Sequence, residues 1–175
     1  MQVGAVAFLD ALGFKGIWRS ADPAVVLEKL QALKERLEKA RVRPDEPSDA
    51  SGFRSWVLFL SDTLVIASTA NYFKPRPEDE MFPLWFVCLG AADAVAAAAE
   101  NDPTLVYRGS VAFGKFEIRQ QFLIGPAIDE AAEAEKLADG ALIWLCPSAI
   151  RIMEQISPSN PLNRDLGWCG TTLCP

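Results

Sequence analysis

The chain opens on Val3-Gly4-Ala5-Val6-Ala7-Phe8-Leu9, a nearly continuous apolar run of the kind found in a central β-strand covered on both faces. The apolar spacing then changes period. Val26, Leu30, Leu33 and Leu37 fall on one helical stripe, and Glu28, Lys29, Glu35 and Glu38 face water. Asp22-Pro23 starts that helix, as an N-cap followed by proline at the first helical position. A polar connector with two prolines, 42 to 52, leads to two apolar runs, Phe53 to Leu60 and Thr63 to Ser68, which read as a hairpin about Ser61-Asp62. A loop over 71 to 80 comes next, marked by Lys74-Pro75-Arg76-Pro77 and three acidic residues. A helix is expected over roughly 82 to 100, stopping before Asn101-Asp102-Pro103, and its alanine run Ala96 to Ala99 permits close packing. Strand signals follow over Leu105 to Phe116 and Gln121 to Ile124, then a helix from near Ala127, a short strand Leu142 to Leu145 and a helix over about 147 to 156. The expectation is one α+β domain over 1–156 and a turn-rich, loosely attached tail over 157–175, with no internal repeat.

Composition narrows the chemistry. Half of the 175 residues are hydrophobic and 23% are charged, so the chain can bury a core and fold. A net charge of −6 argues against a general nucleic-acid surface, which needs clustered cations. Histidine is absent, which removes every Ser-His and Cys-His mechanism together with histidine metal ligation. The four cysteines, Cys88, Cys146, Cys169 and Cys174, lack C-x-x-C spacing and do not suggest zinc. Gln2-Val3-Gly4 lacks the basic start of a signal peptide. The apolar stretch Met81 to Ala99 is interrupted by Pro83 and Asp93 and reads as a buried helix, not a membrane span. A cytoplasmic protein with reduced thiols, no nucleic-acid partner and no membrane contact is expected.

Two aspartates carry the candidate chemistry. Asp10 ends the first apolar run and is followed by Ala11-Leu12-Gly13-Phe14, and Asp62 stands where the two hairpin runs meet. A strand-end carboxylate before a glycine turn, with a second carboxylate at a hairpin tip, can hold divalent metal beside a triphosphate. Each also has a plainer role, Asp10 as a cap and Asp62 as a turn residue. Gly13 lets the chain turn sharply after Asp10, so that following N–H groups can face phosphate at a helix start, and Lys15 is close enough to add positive charge.

In this order the motifs resemble the catalytic domain of the class III nucleotidyl cyclases. Phe8-x-Asp10-x-x-Gly13-Phe14 resembles that family's first-strand metal motif, and Ser61-Asp62 is similar to its Gly-Asp hairpin tip with Ser in place of Gly. Arg108-Gly109-Ser110-Val111-Ala112-Phe113-Gly114 resembles its Arg-Gly-Gly-Ile-x-x-Gly strand, and Gly125-Pro126-Ala127-Ile128-Asp129-Glu130-Ala131-Ala132 stands where its strand-to-helix segment approaches ribose and phosphates. Within the family the chain looks most like the bacterial pyrimidine cyclases of the Pycsar anti-phage systems, which make cyclic UMP or cyclic CMP for a separate effector protein.

The resemblance implies a ferredoxin-like βαββαβ domain, with a mostly antiparallel sheet and helices on one face. It implies two divalent ions, Mg²⁺ or Mn²⁺, bridged by Asp10 and Asp62 with the Ala11 carbonyl as a further ligand. It also implies a homodimer with sites at the interface, a nucleoside triphosphate substrate, and a product read by a separate cyclic-nucleotide effector. The segment Ala11, Leu12, Gly13, Phe14 and Lys15 would line the phosphates. Purine cyclases of the family carry polar base-reading side chains where this chain has Leu58 and Phe122. Neither can hydrogen-bond a purine edge, which is consistent with a smaller base read by another residue such as Arg54; Arg54 is equally a solvated strand-end cation. UTP is favoured over CTP. The family's transition-state Asn and Arg positions are Asp129 and Glu133 here. Asp129 can contact the ribose hydroxyls, and Lys136, on the same helical face, can replace the missing cation or simply pair with Glu133 or Asp129 at the surface. Arg108 is open to either a structural or a phosphate-facing role. The rival readings are a purine cyclase and an inactive cyclase-fold domain that binds nucleotide or dimerises.

Overall fold

A computed structural model describes residues 1–39, 53–70, 77–100, 105–120, 122–137 and 140–155. The expected connector over 42–52, the first part of the loop over 71–76, the helix stop at 101–103 and the tail over 157–175 lie outside the described residues.

The opening apolar run forms β1 (Gln2–Leu12), which is buried on both faces because it lies between β3 (Thr63–Ala70) and β4 (Val106–Arg119). Both pairings are antiparallel. β2 (Phe53–Leu60) extends the sheet beyond β3 through the hairpin at Ser61-Asp62. β5 (Phe122–Ile124) folds back on the far end of β4, and β6 (Ile143–Leu145) runs parallel to β4 near its start. The strand order β2-β3-β1-β4, with α1 (Pro23–Lys39) after β1 and α2 (Pro77–Ala99) after β3, is the ferredoxin-like βαββαβ arrangement, so the expected fold class is observed. α3 (Pro126–Glu135) and α4 (Pro147–Glu154) complete the described chain.

The two faces of the sheet bury different residues, as the period of two requires. Ala5, Ala7, Leu9 and Ala11 of β1 share one core with Leu64, Ile66 and Val111, against residues of α1, α2 and α4. Val6, Val65, Ala67, Ala112 and Phe116 point the other way and pack against Ala127, Ile128 and Ala131 of α3. The expectation that every helix lies on one face is therefore corrected. Without α3 the second apolar face would stand open to water.

Two helices show why sequence boundaries differ in reliability. α1 starts where expected, since the Ala24 N–H donates to Asp22 Oδ1 at 2.9 Å and Val26, Leu33 and Leu37 are buried. α2 instead starts at Pro77, earlier than expected, and runs through Pro83. Pro77 suits the first turn, whereas Pro83 removes one internal hydrogen bond that packing must offset. By length and composition alone Glu80–Ala99 is apolar enough to cross a membrane, with a mean hydropathy of 1.7. Here Leu84, Val87, Ala91, Ala94 and Ala98 are buried in the core against the sheet, while Trp85 and Leu89 are exposed.

Candidate active site

The register of β1 builds the site. Asp10 is flanked in the sheet by Thr63 on β3 and by Arg108 on β4. Side chains at paired positions share a face, so Asp10 and Arg108 lie on the face covered by α3. Gly109 makes this approach possible, because a Cβ there would collide with the Phe8 carbonyl oxygen and Leu9. The hairpin tip is tied to the same strand end, since the Ala11 N–H donates to the Asp62 carbonyl at 3.1 Å. Ser61, at φ 63°, takes the left-handed conformation in which the resembled motif has glycine.

The electrostatics place the carboxylates together. Burial pushes the Asp10 carboxyl above the usual aspartate range, the Asp62 charge pushes it further, and Arg108 opposes both. Arg108 Nη2 is 3.6 Å from Asp10 Oδ2, and its Nε donates to Glu135 Oε1 at 2.8 Å. The Tyr107 hydroxyl is fully buried without a hydrogen-bond partner among the described residues, and its pKa is pushed up to about 12 by burial and then by Asp62 and Asp10.

The residues expected to line the phosphates divide into two groups. Ala11 is buried, and its carbonyl accepts the Phe14 N–H at 3.4 Å, which leaves its second lone pair free of that bond. Gly13 turns the chain at φ 75° with open space beside it, and Lys15 is exposed just beyond. Leu12 pairs with Val106 at the end of β1, while Phe14 packs on the core and away from the carboxylates. The expected helix start is corrected: Ile17–Arg19 is a short 3₁₀ turn, and the N–H groups of Phe14 and Ile17 are bonded to Ala11 and Phe14 carbonyls.

The base-reading and catalytic candidates are spread further. Leu58 and Leu60 pack beside the core on the α3-covered face, as their shared parity with Asp62 predicts. Arg54 is exposed and pairs with Thr69 at the other end of β2, roughly 20 Å along the strand from the hairpin. Phe122 is exposed on β5 opposite Arg119, on the order of 30 Å along β4 from Arg108. Asp129, Glu133 and Lys136 are all exposed, and at about 100° per residue they share one outward side of α3. A single chain therefore does not bring Arg54 or Phe122 to Asp10 and Asp62, and Asp129 and Lys136 face outward on α3.

Glu135 is the site residue that sequence reasoning missed. Ala127, Ile128, Ala131 and Glu135 recur at helical spacing and are the buried residues of α3. A carboxylate on an apolar stripe was the available signal, since an acid is buried only with a partner.

Asp10, Asp62 and backbone carbonyls form an all-oxygen donor set, which suits a hard divalent cation such as Mg²⁺ or Mn²⁺. Among the described residues no group of three or more His, Cys, Asp or Glu side chains could hold a metal. One or two carboxylates completed by substrate phosphates is the usual way Mg²⁺ is held, so the residues fit such an ion bound with a nucleotide. A separate groove of about 360 Å³ between α2, β6 and α4 is lined by apolar side chains such as Leu84, Trp85, Ile143 and Met153, with no carboxylate.

No protein-family model and no curated protein matches the chain. Solved structures do resemble it. The guanylate cyclase domain of RhGC from Catenaria anguillulae, in complex with GTP, is 13% identical with a TM-score of 0.62, over 88% of this chain and 83% of that one. The non-canonical dimeric guanylyl cyclase domain of the RhoGC fusion protein from the aquatic fungus Blastocladiella emersonii is 13% identical with a TM-score of 0.63, over 88% and 84%. The adenylyl cyclase CyaB from P. aeruginosa is 11% identical with a TM-score of 0.60, over 87% and 80%. The chain thus has the fold of adenylyl and guanylyl cyclase catalytic domains.

Proposed function

We propose that residues 1–156 form a metal-dependent nucleotidyl cyclase domain. It converts a pyrimidine nucleoside triphosphate, UTP in preference to CTP, to the 3′,5′-cyclic mononucleotide and pyrophosphate. The observation that carries this reading is the carboxylate pair, Asp10 at the strand end and Asp62 at the hairpin tip, held together on a cyclase-domain fold.

In the reaction the ribose 3′-oxygen attacks the α-phosphorus as the bond to the bridging oxygen of the β-phosphate breaks. The bonding pair leaves with pyrophosphate and the hydroxyl proton is released. Such a step needs positioning and charge compensation more than an elaborate protein base. Asp10, Asp62 and the Ala11 carbonyl would hold two divalent ions, which when bound acidify the 3′-hydroxyl and neutralise the leaving pyrophosphate. Lys15, exposed beside the Gly13 turn, adds positive charge near the phosphates. Asp129 and Lys136, on the outward side of α3, serve the site of the other protomer, Asp129 toward the ribose and Lys136 toward phosphate. This division requires a homodimer with sites at its interface. GTP bound to the RhGC domain supports the ligand class, and the RhoGC domain, a non-canonical dimer, supports dimerisation as such.

Pyrimidine preference is supported by Leu58, which faces the α3 side without a group that can hydrogen-bond a purine edge. The role as a cytoplasmic second-messenger synthase in anti-phage defence, with a separate effector reading the product, rests on the resemblance to the Pycsar cyclases. A second reading, a nucleotide-binding domain without turnover, is favoured by one feature: Asp129 and Glu133 are acidic where the family carries Asn and Arg.

The test is mass spectrometry of products after incubating the full chain separately with ATP, GTP, CTP and UTP plus Mn²⁺ or Mg²⁺. A cyclic mononucleotide from UTP, falling to background in Asp62→Ala, is the expected result. Binding without product from any of the four supports the second reading, and a purine product removes the pyrimidine assignment.

A further inference from the structure

Two of the contacts of Arg108 differ in kind. Its Nε meets the Glu135 carboxylate at 2.8 Å, the length of a charge-assisted hydrogen bond, and the Glu135 side chain is only 8% exposed. Its Nη2 stops 3.6 Å from Asp10 Oδ2, an ion-pair distance beyond hydrogen-bond length. Glu135 is fixed in turn by the packing of α3, since Ala127, Ile128 and Ala131 on the same side of the helix are buried against the sheet.

Loss of the Glu135 bond would remove one restraint that draws Arg108 away from Asp10, and a two-bond fork to a carboxylate is the strongest pairing a guanidinium makes. Such a fork on Asp10 would occupy the lone pairs a divalent cation needs. We infer that Glu135 is a positioning residue that holds Arg108 back from Asp10, so that the Asp10 carboxylate stays open to a divalent cation while a compensating charge remains beside it. This rests on the reading of Asp10 and Asp62 as metal ligands. Arg108 touches the candidate ligand; Glu135 acts through Arg108.

The experiment is a Mn²⁺ titration of the metal-free full chain with a fixed concentration of a non-hydrolysable UTP analogue, followed by electron paramagnetic resonance and read against the same analogue without protein. The unaltered chain is expected to bind and Asp62→Ala to lose binding. Glu135→Gln is expected to weaken binding by about tenfold, the scale typical when a residue supporting a metal ligand is removed. Arg108→Gln/Glu135→Gln is expected to restore affinity at least to that of the unaltered chain, because the competing cation is gone. Each titration is run at low and high salt, since a through-space effect of the Glu135 charge would fade with screening and a contact between Arg108 and Asp10 would persist.

Unchanged affinity in Glu135→Gln, a double variant as weak as the single one, or a loss that vanishes at high salt overturns the proposal. If Glu135→Gln does not fold, the double variant carries the test alone, and binding weaker than the unaltered chain overturns it. Absence of Mn²⁺ binding by the unaltered chain, or binding that survives in Asp62→Ala, removes the metal-site reading itself and this proposal with it.

Discussion

Asp10 is the residue on which stability and proposed function pull in opposite directions. Burial and the Asp62 charge raise its folded-state pKa above the unfolded value, with Arg108 offsetting only part of this. For a carboxyl raised in this way, the stabilising contribution is fully present below the unfolded pKa and is lost as pH rises through the folded pKa. The charged form is therefore a cost to the metal-free fold at neutral pH. Asp10→Asn should raise the melting temperature of the chelator-treated protein at pH 7, and the gain should shrink as pH falls through the carboxylate range. The same substitution should abolish Mn²⁺ binding. A variant no more stable than the unaltered chain at pH 7 would show that the Arg108 pairing outweighs burial and like-charge repulsion. Arg108 and Glu135 are a different kind of pair, since each limits the cost of burying the other.

At the scale of elements, the pairing of β1 with β4 sets the site, because it brings Asp10 opposite Arg108. Gly109 lets the strands close, and Gly109→Ala would drive a methyl group into the Phe8 carbonyl and Leu9. Such overpacking costs about 1–3 kcal/mol, and thermal melting should show a loss of several degrees with the fold retained. A variant as stable as the parent would mean that β4 can shift without cost. The hydrophobic pattern made this sheet legible in advance: the continuous run of β1, the Ser61-Asp62 hairpin and the N-cap at Asp22 all depend on nearest neighbours in sequence. The period of two along β2 likewise groups Leu58 and Leu60 on one face, which the structure covers with α3. Neither strand parity nor a matching position in a motif carries information about distance along a strand, which is why Arg54 and Phe122 were grouped with a site that one chain does not bring to them. The second layer was also hidden. Whether α3 joins the other helices or covers the opposite face depends on the return of the chain through β5, a long-range choice that local periodicity does not record. Glu135 was legible in principle on the stripe of Ala127, Ile128 and Ala131, but its partner Arg108 is on another element.

At the scale of the whole molecule, the separation of the candidate residues becomes an argument about assembly. Glu135 faces inward to Arg108, and Asp129 lies about 9 Å back along α3 and roughly 240° around the axis, so it points away from the sheet of its own chain. If Asp129 takes part in the reaction, it does so at a site to which another copy contributes Asp10 and Asp62. A two-fold homodimer would make two such sites, each drawing on both protomers. This has a consequence that a site built within one chain cannot mimic. Asp62→Ala and Asp129→Ala should each be inactive as homodimers. In a mixed dimer one site would receive both altered residues and the other would receive neither. Co-refolding the two inactive variants in equal amounts should therefore recover activity, to about a quarter of the unaltered level for random pairing of two-site dimers. Sedimentation of the mixture checks that dimers form, and product measurement with UTP and Mn²⁺ reads the recovery. A dimeric mixture that stays inactive would place both residues in the same site of one chain, against the outward direction of Asp129. Recovery would instead assign the carboxylate pair to one protomer and the outer face of α3 to its partner.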